Sequence, residues 1–204
     1  MSVTIVDYGM GNLFSIQKAL KRINVESVVT SNLEVISTAS KLLLPGVGHF
    51  KKGMESIKES GLFEVLNKSV LEDKTPILGI CLGMQLMTKH SEEGDLEGMG
   101  WIEASTCKFN YNHSQKLKIP HMGWNKVLPN KKSKLFYDIS EESLFYFVHS
   151  YFVSCERKED VLATTNYTLD FDSSFEKDNI FATQFHPEKS HQSGLKVLQN
   201  FVNL

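Results

Sequence analysis

The chain has 204 residues, of which 41% are hydrophobic and 23% charged, and its formal net charge is −2. This length and composition predict a globular protein with one hydrophobic core, and the near-neutral charge gives no field that would attract nucleic acid or an anionic membrane. Of the 22 basic residues only Arg22 and Arg157 are arginine, and lysine lacks the planar fork that suits base edges and phosphates, so we expect no nucleic-acid partner.

The first half of the chain alternates predicted strands with predicted helices. Short β-branched or apolar runs predict strands at residues 3–6, 27–30, 41–44 and 76–80. Asn12 can cap a helix in which Leu13, Ile16, Leu20 and Ile23 have helical spacing. The same spacing predicts helix from Met54 to Leu66 and from Leu82 to about His90.

The second half has longer loops and more alternating strands. Strands are predicted at residues 101–104, 117–119, 144–151, 161–165 and 180–185, and an amphipathic helix at 192–202. The sum is an α/β fold in which a mainly parallel sheet is wrapped by helices and carries antiparallel additions downstream.

The three cysteines, Cys81, Cys107 and Cys155, are widely spaced and include no C-x-x-C pair. This pattern argues against a disulfide framework and against a structural zinc site, and it favours a reducing compartment. The N-terminus does not have the pattern of a signal peptide, and no apolar run approaches the roughly 18 residues of a membrane span. We therefore expect a cytoplasmic protein without a membrane partner.

Cys81 lies between Gly79 and Gly83, where a predicted strand meets a predicted helix. A nucleophile between small residues at such a junction is typical of a nucleophile elbow, which raises one strained side chain at the end of a sheet. The start of a helix also favours thiolate over thiol. The alternative is a buried structural cysteine.

A base for this thiolate is predicted at His186. Pro187 favours extended backbone at the preceding residue, and in extended backbone His186 and Glu188 would point to the same side. An imidazole that takes a proton and a carboxylate that orients it complete the logic of a catalytic triad. Alone, a His-x-Glu pair is more often a solvated surface pair.

The segment 45–48 (PGVG) follows a predicted sheet strand, and its glycines would let backbone N–H groups approach a substrate oxyanion. An ordinary turn is the alternative. A dinucleotide fingerprint is rejected, because Phe14 and Lys51 occupy the places of the third glycine.

With these residues in place, nearly the whole chain resembles the class I (triad) glutamine amidotransferases. Within them it is most similar to the branch of glutaminase subunits of imidazole glycerol phosphate synthases. The motifs that carry the resemblance are residues 7–12 (DYGMGN), 45–50 (PGVGHF), 79–85 (GICLGMQ), 120–125 (PHMGWN), 146–151 (YFVHSY) and 184–190 (QFHPEKS).

The resemblance implies one amidotransferase domain over residues 1–204, without metal or cofactor, in which Cys81, His186 and Glu188 hydrolyse L-glutamine. It places the oxyanion and the substrate at Val47, Gly48, Leu82, Gln85, His149, Ser150 and Tyr151. It also implies a heterodimer with a (βα)8-barrel synthase subunit that receives the ammonia. The resemblance implies that Asn12, Trp124, Tyr146 and Lys189 line the passage of ammonia and the interface with this partner.

Three alternatives stay open. Residues 91–94 and 100–102 resemble a sister branch that supplies ammonia for amidation of surface-glycan sugars, with the same triad. A non-catalytic binding subunit is disfavoured because every triad position is filled. A hydrolase for another amide or a peptide is disfavoured because the glutamine motifs are present.

A basic stretch is most simply a solvated surface, although it could meet an acidic partner. It consists of Lys116, Lys118, Lys126, Lys131, Lys132 and Lys134.

Overall fold

The centre of the fold is a parallel sheet whose strands are short and mostly apolar. The computed structural model describes residues 2–110 and 118–204. Five strands lie parallel in the spatial order β2, β1, β3, β4, β14. They are β1 (Ser2–Val6), β2 (Glu26–Thr30), β3 (Leu42–Gly46), β4 (Ile77–Cys81) and β14 (Ile180–Thr183).

Helices cover both faces of this sheet because alternate residues of each strand point to opposite sides. Leu43 and Leu78 belong to the apolar cluster that includes α1 and α6, whereas Leu42 and Ile77 belong to the cluster that includes α3 and α4. The helices are α1 (Leu13–Arg22), α2 (Leu33–Ser37), α3 (Phe50–Glu59), α4 (Leu62–Asn67), α5 (Leu82–Leu86) and α6 (His191–Val202). A π-helical turn, Lys68–Glu72, extends α4.

Beyond β14 the sheet continues with mostly antiparallel strands, in the order β13, β11, β7, β5, β6, with β12 and then β9 attached to β13. The predicted α/β class with antiparallel additions is therefore confirmed. These strands are β5 (Thr88–Ser91), β6 (Leu96–Glu97), β7 (Ile102–Lys108), β9 (Leu128–Pro129), β11 (Tyr151–Cys155), β12 (Val161–Asn166) and β13 (Asp170–Lys177).

A separate two-stranded antiparallel ribbon stands beside the main sheet. It consists of β8 (His121–Lys126) and β10 (Leu144–His149), with Trp124 opposite Tyr146 and His121 opposite His149. One face of the ribbon carries His121, Phe147 and His149, all buried, and the other carries exposed apolar residues.

The predicted helix from Leu82 to His90 is wrong in its second half. The helix ends at Leu86, and residues 88–91 form β5, which pairs with β6 and β7. The carbonyl oxygens of Leu86 and Met87 accept hydrogen bonds from Met99 N and Trp101 N, at 2.7 and 3.0 Å. These carbonyl groups would accept hydrogen bonds within the helix if it continued, but here they accept from a distant segment of the chain, and the helix ends.

Two predicted strands need correction. Residues 144–151 form two strands instead of one, because the chain leaves the ribbon at Ser150 and enters the main sheet at Tyr151. In the predicted strand 117–119, residue 117 lies outside the described residues, and residues 118–119 are not strand. The strand of this region is β8, which begins at His121. Lys116 of the basic stretch also lies outside the described residues.

The helix predicted from Met54 to Leu66 is instead two helices, α3 and α4, because Gly61 between them has φ +73°. The other predicted strands and helices are present, with ends that differ by a few residues. In the described residues, 2–110 and 118–204, no helix is both long enough and apolar enough to cross a membrane.

Candidate active site

Three neighbouring parallel strands, β3, β4 and β14, end at one edge of the sheet, where α/β proteins place their ligand sites. Gly46 lies in register with Cys81, and Thr183 lies in register with Ile80. The segment that follows Gly46, the side chain of Cys81 and the segment that follows Thr183 therefore meet. The topology explains why motifs about 35 and 100 residues apart in sequence form one site.

Cys81 has the strained backbone of a nucleophile elbow, with φ 55° and ψ −108°. A non-glycine residue in such a conformation costs about 1–3 kcal/mol. The flanking glycines, Gly79 and Gly83, serve close packing. A Cβ atom on Gly83 would lie 1.7 Å from the carbonyl oxygen of Leu44, and one on Gly79 would lie 2.9 Å from that of Gly83.

His186 and Glu188 form a buried pair. Nδ1 of His186 lies 2.9 Å from Oε1 of Glu188, and both side chains are 2% exposed. His186 is extended, as Pro187 predicts, but residues 187–189 form a 3₁₀ turn instead of continuing the strand. The turn, and not strand periodicity, brings the two side chains together.

The electrostatic setting of His186 favours the imidazolium. Burial lowers the pKa of His186, but the Cys81 thiolate and the Glu188 carboxylate together raise it to about 10. The Nε2 atom is buried and finds no hydrogen-bond partner within residues 2–110 and 118–204. A base that is oriented through Nδ1 and free at Nε2 can exchange a proton with a reacting group.

A cavity of about 290 Å³ opens beside Cys81. All seven residues that the sequence assigns to the oxyanion and the substrate line it: Val47, Gly48, Leu82, Gln85, His149, Ser150 and Tyr151. Gly48 has φ +111°, a conformation that favours glycine, and Val47 is 40% exposed at the rim. The cavity size suits a small metabolite.

Three further lining residues, Glu93, Pro120 and Val148, belong to the motifs at residues 91–94, 120–125 and 146–151, but no role in the site is assigned to them from the sequence. Glu93 supplies a carboxylate whose Oε2 accepts a 2.7 Å hydrogen bond from Phe50 N. The carbonyl oxygen of Val148 lies 3.9 Å from Sγ of Cys81. The motif at residues 91–94, which contains Glu93, bears only on the choice between pathways. It gives no reason to expect Glu93 in the pocket.

A buried chain of amides and imidazoles surrounds the nucleophile. Nε2 of Gln85 donates to the carbonyl oxygen of Tyr151 at 3.0 Å and to Oε1 of Gln184 at 3.1 Å. Nε2 of Gln184 in turn lies 3.7 Å from Sγ of Cys81. Gln184 belongs to the QFHPEKS motif, but no role for it follows from sequence.

His149 continues this chain toward the ribbon. Its Nδ1 lies 2.7 Å from the carbonyl oxygen of Tyr151, and its Nε2 lies 3.0 Å from Nδ1 of His121. His121 stacks between Phe147 and Tyr167, with ring centroids 4.7 and 4.0 Å away. Burial lowers the pKa of His121 to about 4 and that of His149 to about 3, so both are neutral at physiological pH.

Three of the four residues assigned to the passage and interface form one cluster. Trp124 contacts the ring of Tyr146 edge to face at 5.9 Å, and the ammonium group of Lys189 lies 5.6 Å from the centre of the same ring. Asn12 is exposed at the start of α1, where its side chain accepts a hydrogen bond from Ser15 N. Helix α1 packs against the 3₁₀ turn that holds Lys189.

The other two cysteines lie in environments unlike that of Cys81. Burial raises the pKa of Cys107 and that of Cys155, with nearby Glu92 and Asp172 acting in the same direction. Within the described part of the chain, no three His, Cys, Asp or Glu side chains are arranged to hold a metal ion.

The comparisons with known proteins agree on one family. The model of the family "Glutamine amidotransferase class-I" matches residues 4–204. The chain is 53% identical over 200 residues to imidazole glycerol phosphate synthase subunit HisH 2 of Methanococcus maripaludis, covering 98% of each chain. It is 48% identical to subunit HisH 1 of Campylobacter jejuni, covering 99% of this chain and 100% of that one.

Solved structures share the fold at low sequence identity. A structure described as a glutamine amidotransferase superposes with a TM-score of 0.76 at 17% identity, over 98% of this chain and 97% of that one. A glutamine amidotransferase from Thermotoga maritima gives a TM-score of 0.68 at 16% identity, over 100% of this chain and 83% of that one.

Proposed function

This chain belongs to the class-I glutamine amidotransferases, and from this premise we propose that it is the glutaminase subunit of an imidazole glycerol phosphate synthase. It hydrolyses L-glutamine to glutamate and ammonia and passes the ammonia to a synthase partner in histidine biosynthesis. One observation carries the proposal. Cys81, on a strained elbow, opens onto a small pocket beside the buried His186–Glu188 pair.

The proposed reaction is a double displacement at the side-chain amide of glutamine. The Cys81 thiolate attacks the amide carbon, and the imidazolium of His186 protonates the departing nitrogen, so ammonia leaves and a thioester remains. His186, now neutral, takes a proton from water, which attacks the thioester and releases glutamate. Glu188 holds His186 in the required orientation, as the 2.9 Å contact to Nδ1 suggests.

The walls of the pocket suit the rest of the substrate. Backbone N–H groups of Leu82 and Val47 are the proposed donors to the oxyanion. Gln85 and the segment from His149 to Tyr151 would hold the glutamine. The carboxylate of Glu93, which also lines the pocket, is suited to the α-ammonium group of an amino acid.

A partner is required by the chemistry of the product. Ammonia released into neutral water becomes mostly ammonium, which is no nucleophile, so a synthetic use needs a dry route to a second active site. The exposed face of the β8–β10 ribbon carries Met122, Trp124 and Leu144, which are 62%, 45% and 46% exposed. An apolar face of this kind beside the site favours a docked protein, for which we propose a (βα)8-barrel synthase subunit in a cytoplasmic heterodimer.

The acceptor follows from the names of the relatives. Both numbered copies from Methanococcus maripaludis, 53% and 47% identical to this chain, are named as imidazole glycerol phosphate synthase subunits. These names favour the histidine branch over the surface-glycan branch. The family match over residues 4–204 also supports the proposal that the chain acts as one domain.

The test follows the amide nitrogen. The chain and its synthase partner are supplied with glutamine that carries ¹⁵N in the side-chain amide and with the phosphoribosyl-linked imidazole precursor. We expect ¹⁵N in the imidazole ring of the product, even when unlabelled ammonium is present in excess. Ammonia release without such transfer would contradict the pathway.

A further inference from the structure

Gln184 is a fully buried residue whose carboxamide contacts the sulfur of the proposed nucleophile. It follows β14 directly, and the register of that strand with β4 places it beside Cys81. Its carboxamide lies between Gln85 and Cys81, with Oε1 3.1 Å from Nε2 of Gln85 and Nε2 3.7 Å from Sγ of Cys81. Gln184 is not among the residues that line the glutamine pocket.

The hydrogen-bond chain decides which end of the Gln184 amide faces the sulfur. The carbonyl oxygen of Tyr151 can only accept, so it takes one proton from Nε2 of Gln85, which offers its second proton to Gln184. Gln184 must therefore present its oxygen to Gln85, and its NH₂ group to Cys81.

The same logic fixes the far end of the chain. Because the Tyr151 oxygen accepts, Nδ1 of His149 carries the proton between them, and Nε2 of His149 accepts from Nδ1 of His121. Nε2 of His121 then accepts from the side-chain amide of Asn125, at 3.3 Å. The carbonyl oxygen of Tyr151 can only accept, and it therefore fixes the direction of each hydrogen bond between the ribbon and Gln184.

We propose that Gln184 stabilises the Cys81 thiolate by donating an N–H of its carboxamide to Sγ. This inference rests on the proposed function, in which Cys81 is the nucleophile. A charged sulfur accepts a stronger hydrogen bond than a neutral one, so a fixed donor favours the ionised form. The neutral thiol has a different partner, the carbonyl oxygen of Val148 at 3.9 Å, and loses it on ionisation.

Several titratable groups face Cys81, and all of them stay constant in the test. They are His186 with Glu188 behind it on the 3₁₀ turn, Tyr8 after β1, His149 on β10 and Glu93 on the pocket wall. Because Gln184 carries no charge, replacing it by methionine removes the donor to Sγ and the acceptor for Gln85 without changing the charge of the site.

The experiment measures the rate at which iodoacetamide labels Cys81 against pH, with the site confirmed by mass spectrometry. The variants are Gln184→Met, which removes the amide, and Gln184→Asn, which keeps an uncharged carboxamide in the polar chain but draws it back from Sγ by one methylene. Gln192→Met, at an exposed glutamine of α6, is the matched control. A hydrogen bond to a charged group corresponds to about one to two decades in the thiolate–thiol equilibrium.

We expect the midpoint of labelling to rise by about one to two pH units in Gln184→Met and in Gln184→Asn, and to be unchanged in the control. At pH 7, kcat for glutamine hydrolysis should fall about tenfold or more, with KM within about twofold, since Gln184 does not line the pocket.

Two different failures are distinguishable. Absence of Cys81 labelling in the unaltered protein would overturn the proposed function itself. Normal labelling there, with an unmoved midpoint in a folded Gln184 variant, would overturn this inference and leave the nucleophile in place. If Gln184→Met does not fold, Gln184→Asn decides, because it keeps a carboxamide in the polar chain and adds no charge.

Discussion

At the scale of single residues, the contact between His186 and Glu188 controls the charge and the direction of the base. Both side chains are 2% exposed, so the carboxylate acts on the imidazole with little screening by water. Without that charge the pKa of His186 would fall from about 10, and a neutral amide in its place could donate to Nδ1 and so favour the wrong tautomer.

Replacing Glu188 by glutamine should therefore lower kcat for glutamine hydrolysis at least about a hundredfold, with a smaller effect on KM. Steady-state ammonia release from pH 6 to 9 would measure kcat and KM of the variant. Glu141→Gln, at an exposed position, is the control. Activity within a few-fold of the unaltered enzyme across this range would contradict the assigned role.

The two buried imidazoles, His121 and His149, predict an acid-sensitive fold. Their pKa values of about 4 and about 3 lie below the ordinary value of about 6.5. Between pH 6.5 and 4 the unfolded chain therefore binds more protons at these positions than the folded chain. The free energy of unfolding must then fall as the pH falls, by up to roughly 2 kcal/mol per histidine between pH 6.5 and 5.

His121→Phe separates this effect from packing, since phenylalanine can keep the stack on Phe147 and Tyr167. The variant leaves Nε2 of His149 without its donor, so we expect a loss of about 1–3 kcal/mol at pH 7. It should also show a shallower fall in stability toward pH 5. Denaturant unfolding at both pH values measures both quantities, with the half-exposed His90→Gln as control. An unchanged slope would mean that His121 is not buried as a neutral group.

At the scale of elements, the segment between β3 and α3 contains a peptide that is flanked by two glycines. Val47 lies between Gly46 and Gly48, so its peptide can turn without side-chain clashes on either side. One missing oxyanion donor costs about 10²–10³ in kcat. The orientation of this peptide is therefore a sufficient switch for a partner to control.

Val47→Pro, which removes the N–H, should reduce partner-stimulated hydrolysis by about 10²–10³ and the resting rate far less. Val47→Ala keeps the N–H and should retain most of the stimulated rate. Ammonia release by each variant, with and without the partner, makes the comparison. Equal losses in the resting and the stimulated state would show that this peptide is not the switched donor.

Sequence patterns predict the parallel half of the fold better than the antiparallel half, for a physical reason. Strands 3–6 and 76–80 and the helix after Asn12 are set by local apolar spacing and capping. Strand β13 and the break at Ser150 depend on pairing between distant segments, which no local pattern records. For the same reason the sequence indicated Cys81 and His186 but not Gln184. The contact of Gln184 with Cys81 depends on the register between β14 and β4.

At the scale of the whole molecule, the ribbon joins a candidate partner surface to the site. Its outer face presents Met122 and Trp124, while Val148 and His149 on β10 line the glutamine pocket. A protein that docks on the outer face can shift the ribbon, and with it residues that contact the substrate. Such a shift biases a pre-existing equilibrium between two arrangements of the site.

We therefore expect the isolated chain to hydrolyse glutamine slowly, and a synthase partner with its acceptor bound to raise kcat by about two orders of magnitude or more. Met122→Asp should abolish the stimulation while leaving the resting rate unchanged, because the residue is 62% exposed and outside the pocket. Titration of ammonia release with partner would show both effects. Full activity of the chain alone would refute control by the partner and would leave the triad untouched.

The most direct test of the central claim is the nitrogen source that a Cys81→Ala complex can use. The assembled chain and synthase partner are given acceptor with either glutamine or ammonium chloride at pH 8.5, and product formation is followed. We predict that the variant forms product from ammonium at the rate of the unaltered complex, because the partner's site does not need Cys81. From glutamine it should form none, whereas Cys107→Ala and Cys155→Ala use both sources. Product from glutamine in the folded Cys81→Ala complex would show that Cys81 is not the nucleophile.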